Sequence, residues 1–468
     1  MTVDKRDGNS LLPSTDDPPL PLAGPTSPKF ERRLAIVACL LPAAYFLLSS
    51  LFALIYFKTY ASELPQFLRY VLAPGLIGVA FLACAYALPR RLSLSIGTSG
   101  IAVIAALFAF ETWQTIKLYA SLLGMIGYAG GAQIPSVDAN NGLPPGYTVK
   151  ALNRVLKPAT LPEAVLSGVP HSQVFMCSRD GKPVTYTADR YGFNNPDSVY
   201  DKPISTVVLG DSFIEGYCLE PGKDTVSVLR GTLPDSVGIA TRGNGPLMEL
   251  AALGRFGKEL RPRFVVMAFF EGNDWENLQV ELEFPWLRQA LSENTEFGQT
   301  TIPPATLAEM DGVINGWRAT EVKPLDVLRR TWLVRNFFAL RQVSSELGIA
   351  YPKVFRAQPE YVDILRKAAK ITESWGGELL VLYIPQAARY DGMISHEFVY
   401  DPLRNRVRKA AAEAGVEVID LAEIFKKRKD VQSLYASDWH FSEEGARVAA
   451  QAIIDRLRQP MAAYHSAK

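Results

Sequence analysis

Hydrophobic positions in this 468-residue chain are not evenly spread, and three long apolar runs come first. Leu34 to Phe57, "LAIVACLLPAAYFLLSSLFALIYF", carries no charge, and about 20 apolar residues suffice for a helix to cross the hydrocarbon layer. A second run extends from roughly Val71 to Leu88, and a third from Leu92 to Phe110 with an extension past Glu111 to Ile116. A charge at the centre of a spanning helix costs about 2.5–3.5 kcal/mol on insertion scales, so Glu111 is expected near a membrane interface. Lys29, Arg32 and Arg33 precede the first run, and Arg90 and Arg91 fill the link between the second and third. By the positive-inside rule both clusters are cytoplasmic, and the loop with Lys58, Glu63 and Arg69 lies outside. Three crossings from a cytoplasmic N-terminus place everything after about residue 117 beyond the bilayer, in the periplasm of a two-membrane bacterium. A cleaved signal peptide fits less well, because the first run follows a 33-residue polar tail and has no small-residue cleavage site.

Beyond the apolar runs the period changes. Residues 1–33, with "STDDPPLPLAGPTSP", read as a disordered tail. The 117–202 segment combines "SLLGMIGYAGGAQIP", expected along the membrane surface, with the linker "DANNGLPPG". It also holds a hairpin in "FMCSRDGKPVTYTADRYGF" that turns at Asp180 and Gly181. Further on, near-continuous apolar strands are expected at Ser205 to Leu209, Val237 to Thr241, Phe264 to Phe270, Leu379 to Ile384 and Val416 to Leu421. Helical patterns fall between and after them, at Thr225 to Leu233, Leu247 to Leu260, Glu360 to Trp375, Pro402 to Ala414 and Ser442 to Leu457. Pro402 sits at a first-turn position, and Ser442 ahead of Glu443 and Glu444 reads as an N-cap. Such alternation predicts an α/β domain, a parallel sheet covered on both faces. The excursion from Asp274 to Gln358 carries an amphipathic pattern and is expected to be an inserted helical lobe. No internal repeat is visible.

Composition adds exclusions. Lys and Arg total 49 against 48 Asp and Glu, and no basic block is interleaved with aromatics, which argues against nucleic acid as a partner. His and Cys show no ligand spacing, so neither a metal nor another cofactor is called for. Of four cysteines, Cys39 and Cys84 fall in the apolar runs, where a thiol acts as a small apolar group. Cys177 and Cys218 form an even pair in the exported part and are expected to be bonded to each other, two unpaired buried thiols being the alternative.

In an open parallel sheet the carboxyl ends of the strands converge on one crevice. The first strand ends on Gly210, Asp211, Ser212; the second leads to "ATRGNGPL" with Gly243 and Gly245; the third leads to "EGND" with Gly272, Asn273 and Asp274. Near the C-terminus "SDWHFSEEG" supplies Asp438 and His440. Acyl transfer needs a nucleophile, donors for an oxyanion and a base. Of the four histidines, His171, His396, His440 and His465, only His440 has a carboxylate at short range and a helix start behind it. An α/β-hydrolase elbow is excluded, since G-x-S-x-G would need glycine where Ile214 stands.

The order "GDSF", Gly-rich turn, "EGND", Asp/His pair resembles the SGNH (GDSL) hydrolase family over about residues 203 to 460, the inserted lobe (274–358) excepted. The resemblance implies a three-layer α/β/α domain around a five-stranded parallel sheet. It also implies Ser212 as nucleophile, His440 as base, and an oxyanion hole made by the Ser212 N–H, the Gly243 N–H and the Asn273 side-chain amide. "DRYGFNNPD" together with "GNGPL" is similar to exported, membrane-anchored members linked to polysaccharides, whose substrates would be acyl, above all acetyl, esters on glycans and whose partners would include polysaccharide synthesis or export proteins. Glu271 stands where the family usually has glycine, and Gly238 where it usually has asparagine. Ser437 occupies the usual position of the acid, leaving Asp438, two residues before His440, to orient the imidazole. A Ser/His dyad without an acid, a lipase or thioesterase acting on membrane acyl chains, and a catalytically idle scaffold are the alternatives.

Overall fold

Five short runs of β-branched and aliphatic residues, each buried along nearly its whole length, can satisfy their backbones only by pairing with one another. In the computed structural model, which describes residues 28–125, 148–179, 182–318, 333–355 and 358–458 with a few short pieces between 128 and 143 and between 325 and 329, they do so as a parallel sheet. The hairpin strands are β1 (Gln173–Arg179) and β2 (Lys182–Thr187). The sheet strands are β3 (Thr206–Gly210), β4 (Ser236–Ala240), β5 (Phe264–Phe270), β6 (Glu378–Ile384) and β7 (Glu417–Asp420). Their order is β7-β6-β5-β3-β4, parallel throughout. Alternation along each strand divides the core between two faces. Val207, Leu209, Val265, Met267 and Phe269 face one cluster, and Val208, Val266, Ala268, Leu380 and Leu382 the other. This is the expected three-layer α/β/α arrangement. The chain leaves β3 for β4 on one side and then returns to β5 on the other, so the crevice beyond Gly210 is the switch point where such sheets place their ligands.

Most element limits lie within a residue or two of the sequence pattern. Ser442 accepts a hydrogen bond from the Gly445 N–H at 3.2 Å and caps the last helix, Glu443–Leu457. The stretch expected as one helix from Leu247 is α-helical over Pro246–Ala252, widens into a π-turn at Leu253–Gly257 and ends at Lys258–Leu260. The hairpin forms, with β1 and β2 antiparallel, while its turn at Asp180 and Gly181 lies outside the described residues, as do residues 1–27 of the expected tail and most of the "DANNGLPPG" linker. Residues 28–33 of that tail are helical instead.

Among the described residues three helices are long and apolar enough to cross a membrane: Pro28–Ile55, Leu64–Ala87 and Arg90–Leu123. Two compact units divide the chain. Residues 28–55 and 70–106 belong to one, in which the Arg32 guanidinium donates to the carbonyls of Tyr86 and Leu88. The other takes in residues 56–69 and everything from Leu107. Within this second unit Glu111 is fully buried, and its carboxylate accepts the N–H groups of Gln342 and Val343 at 3.0 and 2.9 Å, capping the helix Arg341–Glu346. The penalty that suggested an interfacial Glu111 is offset by these two donors. The helix continues well past Ile116, to Met125, and takes up the first part of the stretch expected along the membrane surface.

Candidate active site

Ser212 opens a single helical turn, Ser212–Glu215, directly after β3. Its neighbours each have a structural task. Asp211 caps the turn, its carboxylate accepting the Phe213 N–H at 2.9 Å. Phe213 packs its ring on Phe270, Phe441 and the imidazole of His440, at centroid distances of 4.1, 4.8 and 5.1 Å. Gly210 must be glycine here, because a Cβ would lie 2.4 Å from Ile214 Cγ1 and push the turn off the strand. An acid and an aromatic therefore flank the serine to hold the turn and the base against it.

His440 Nε2 lies 2.9 Å from Ser212 Oγ. The imidazole is held between Phe213 and Tyr217, the latter at a centroid distance of 4.6 Å. Its carrier is a tight hairpin in which the Trp439 N–H bonds to the Ala436 carbonyl at 2.9 Å and the Ala436 N–H to the His440 carbonyl at 2.8 Å. Trp439 closes this turn at φ +67°, a left-handed conformation that costs a bulky residue about 1–3 kcal/mol. That conformation brings Asp438 back towards His440 with one intervening residue. The His440 N–H donates to Asp438 Oδ1 at 3.2 Å, and Asp438 Oδ2 faces His440 Nδ1 at 3.5 Å. The second contact is too long for a strong hydrogen bond, yet both atoms are buried and neither has a hydrogen-bond partner. Each is the obvious group to satisfy the other. Although burial works to raise the Asp438 carboxyl, its interactions with His440 hold it below the usual carboxylate range.

Gly243 follows β4 and Asn273 follows β5, the two strands that flank β3, so both loops border the Ser212 turn. Gly243 has φ +78°, which glycine adopts without strain. Asn273 Oδ1 is buried without a partner. The two loops are tied together: Asn277 donates to the Asn244 carbonyl at 3.0 Å, and Glu281 accepts the N–H of Gly245 at 2.6 Å and of Leu247 at 3.0 Å. A hydroxyl within hydrogen-bond reach of an imidazole, flanked by strand-end donors, can attack an acyl carbon as its proton passes to the ring.

Residues 350–468 match the profile of the SGNH hydrolase-like domain of the acetyltransferase AlgX, a stretch that contains Asp438 and His440. Over those residues the chain is similar to an SGNH hydrolase-like domain. No curated protein matches the chain by sequence. Solved structures of similar shape include a lipase/acylhydrolase from Enterococcus faecalis, 13% identical, covering 54% of this chain and 95% of that one at a TM-score of 0.30. An acetyl xylan esterase is 11% identical, with 54% and 99% covered and a TM-score of 0.29. A variant of an acetyl-xylooligosaccharide esterase from Geobacillus Stearmophilus is 14% identical, with 56% and 98% covered and a TM-score of 0.30.

Two buried ion pairs of the SGNH-like domain had no signal in the sequence. Glu215, at the end of the Ser212 turn, accepts from the backbone N–H of Arg242 at 2.7 Å, from its guanidinium at 2.7 Å and from the Tyr186 hydroxyl at 3.0 Å. Arg242 also donates to the Phe175 carbonyl in β1 at 3.0 Å. Burial draws the Arg242 guanidinium down, but Glu215 outweighs it and leaves it above its ordinary value. On the other side Glu271, the residue that replaces the family's usual glycine, is 1% exposed and accepts from Arg389, the Tyr383 hydroxyl and the Gln386 N–H. Gly243 follows Arg242 directly, and Asn273 lies two residues after Glu271. Each flanking loop is thus moored by a Glu–Arg pair. Cys177 in β1 is bonded to Cys218, Cα to Cα 5.4 Å and 41 residues apart in sequence. The bond fastens the hairpin to the chain just beyond the Ser212 turn and contributes up to about 4 kcal/mol in the chain-entropy model.

His396 is buried against Tyr351 and Tyr400, His171 occupies a left-handed turn position, and His465 lies outside the described residues. Among the described residues no cluster of His, Cys, Asp and Glu could hold a metal ion.

Two predictions arise here. Asn273→Ala is expected to lower kcat on p-nitrophenyl acetate by about 10²–10³-fold with little change in KM, the loss typical of one oxyanion donor. Steady-state kinetics check it. The second concerns Glu249, 1% exposed, with neither carboxylate oxygen hydrogen-bonded. Burial first, then the nearby charges of Asp274 and Asp211, hold its carboxyl far above the usual range. Asp274, which has the Phe270 N–H as a donor at 2.6 Å, is itself pushed well up, chiefly by burial. A raised acid binds its proton in the folded state after the unfolded chain has lost it, so this group lowers stability as pH rises above about 4.3, by up to about 1.4 kcal/mol per unit until the folded group itself titrates. Glu249→Gln should therefore gain stability relative to the native protein as pH is raised from 5 to 8, read from thermal unfolding across that range.

Proposed function

We propose that the protein is a membrane-anchored serine esterase or O-acyltransferase that acts on acyl esters, chiefly acetyl, of an exported polysaccharide. The 2.9 Å approach of His440 Nε2 to Ser212 Oγ carries this reading. In the proposed reaction the Ser212 oxygen bonds to the ester carbonyl carbon while its proton passes to His440 Nε2, and Asp438 steadies the imidazolium. The N–H groups of Ser212 and Gly243 and the amide of Asn273 hold the oxyanion. The carbon–oxygen bond to the glycan then breaks, and His440 returns its proton to the departing sugar hydroxyl, leaving an acyl-enzyme. Water, or the hydroxyl of a second sugar, gives its proton to His440 and attacks the acyl carbon; the acyl bond to Ser212 then breaks as His440 passes that proton to the Ser212 oxygen. Water as acceptor makes the enzyme an esterase; a sugar makes it a transferase.

The three apolar helices support anchoring in a bacterial cytoplasmic membrane, and the distribution of Lys and Arg supports a periplasmic catalytic domain. Full-length protein in detergent, given acetylated polysaccharide and p-nitrophenyl acetate with and without free oligosaccharide, tests the assignment. Acetate release by the native protein supports hydrolysis, and acetyl transfer only with added oligosaccharide supports the transferase. A preference for long-chain p-nitrophenyl esters would replace this reading with a lipase or thioesterase. No turnover of any ester would leave a scaffold.

A further inference from the structure

Beside the hairpin that carries His440 lies a cavity of about 370 Å³ that the reaction above does not use. One wall is the Arg341–Glu346 helix of the inserted segment, contributing Gln342 and Glu346. Another is the loop after β6, with Asp391, and the third is the catalytic hairpin, with Gln432, Tyr435 and Trp439. Its walls therefore combine one large aromatic face with carboxylates and amides. Trp439 is 53% exposed although it sits between two buried or half-buried polar residues of the site, and its backbone is held in the left-handed conformation by the hairpin hydrogen bonds. Tyr435 behind it is fixed by a 2.7 Å hydrogen bond from its hydroxyl to the Pro385 carbonyl. The helix on the opposite wall is pinned by the Glu111 cap, and Glu346 receives a hydrogen bond from Gln114 at 3.1 Å. An exposed indole on a rigid turn loses little entropy when it is covered, and a planar apolar face next to hydroxyl-binding carboxylates and amides matches the two surfaces of a pyranose ring.

We propose that this cavity is a sugar subsite, in which Trp439 stacks on one ring of the glycan and Gln342, Glu346, Asp391 and Gln432 take its hydroxyls. It rests on the Ser212–His440 reading of the active site for its role in the reaction, and it gives the strained Trp439 a purpose: the residue that sets the Asp438–His440 geometry also grips the chain that bears the ester.

The test uses full-length protein in detergent with partially O-acetylated xylo-, manno- and gluco-oligosaccharides. Trp439→Ala should lower the ratio of kcat/KM on the best of these to kcat/KM on p-nitrophenyl acetate at least tenfold, through KM, and Trp439→Phe should restore most of it. In a Ser212→Ala background, calorimetry with the deacetylated oligosaccharides should show Trp439→Ala weakening binding at least tenfold, with Gln432→Ala weakening it as well. An unchanged ratio, an equal loss on both esters, a loss confined to long-chain p-nitrophenyl esters, or no oligosaccharide bound by the Ser212→Ala protein would overturn the subsite. If the native protein cleaves neither ester, the catalytic reading fails, while calorimetry still decides whether Trp439 binds sugar.

Discussion

Replacing Ser212 or His440 with alanine is expected to reduce esterase turnover by about four to six orders of magnitude, and replacing both is expected to cost no more than replacing either. The two act as one unit across 2.9 Å: without the imidazole the hydroxyl keeps its proton, and without the hydroxyl the imidazole has nothing to activate. Asp438→Asn should cost less than either, because it acts through His440 from 3.5 Å and contributes orientation and charge. All three variants should keep the native fold, since Ser212 and His440 lie at the open end of the sheet and bond to each other. Kinetics on p-nitrophenyl acetate with thermal unfolding of the same samples separates loss of chemistry from loss of structure. A His440→Ala protein with near-native turnover would remove the imidazole from the mechanism.

The second large effect is on stability. Glu215→Ala and Glu271→Ala are each expected to destabilise the SGNH-like domain by about 3–5 kcal/mol, because each takes from a buried guanidinium its buried carboxylate, Arg389 then keeping only the half-exposed Asp401 at 2.8 Å. For a domain of this size that is a fall of roughly 6–20 °C in unfolding midpoint, at about 2–4 °C per kcal/mol. Removing a whole pair should be milder: Glu215→Met with Arg242→Leu should recover a large part of the loss, since the desolvation cost goes with the charges. Glu271→Gly, which restores the residue usual in the family, should be as damaging as Glu271→Ala, because Arg389 stays behind at 2% exposure. A midpoint within 2 °C of native for these single variants would mean that the pairs do not moor the loops.

The contrast between these effects follows what the sequence could and could not convey. Runs such as "FVVMAFF" announce buried strands through local chemistry alone, and an open parallel sheet then dictates that whatever follows the strand ends will converge. Ser212, Gly243 and Asn273 were legible for that reason. Glu215 and Arg242, or Glu271 and Arg389, are ordinary charges in the sequence, and only the folded sheet reveals that they meet in its interior. Glu111 is the same case in reverse. Its cost inside an apolar helix was legible, but the backbone donors that meet that cost come from Gln342 and Val343, far along the chain. Trp439 was hidden differently: the shortened Asp438–His440 spacing was visible, while its means, one left-handed residue in a hairpin, is a backbone property that no side-chain pattern encodes.

The most direct measurement of the account is covalent. Incubating the full-length protein with a fluorophosphonate and mapping the adduct by peptide mass spectrometry should place the label on Ser212, with the rate falling at least a hundredfold in His440→Ala. Label on another residue, or none on native protein whose fold is intact, would contradict a Ser212 nucleophile activated by His440.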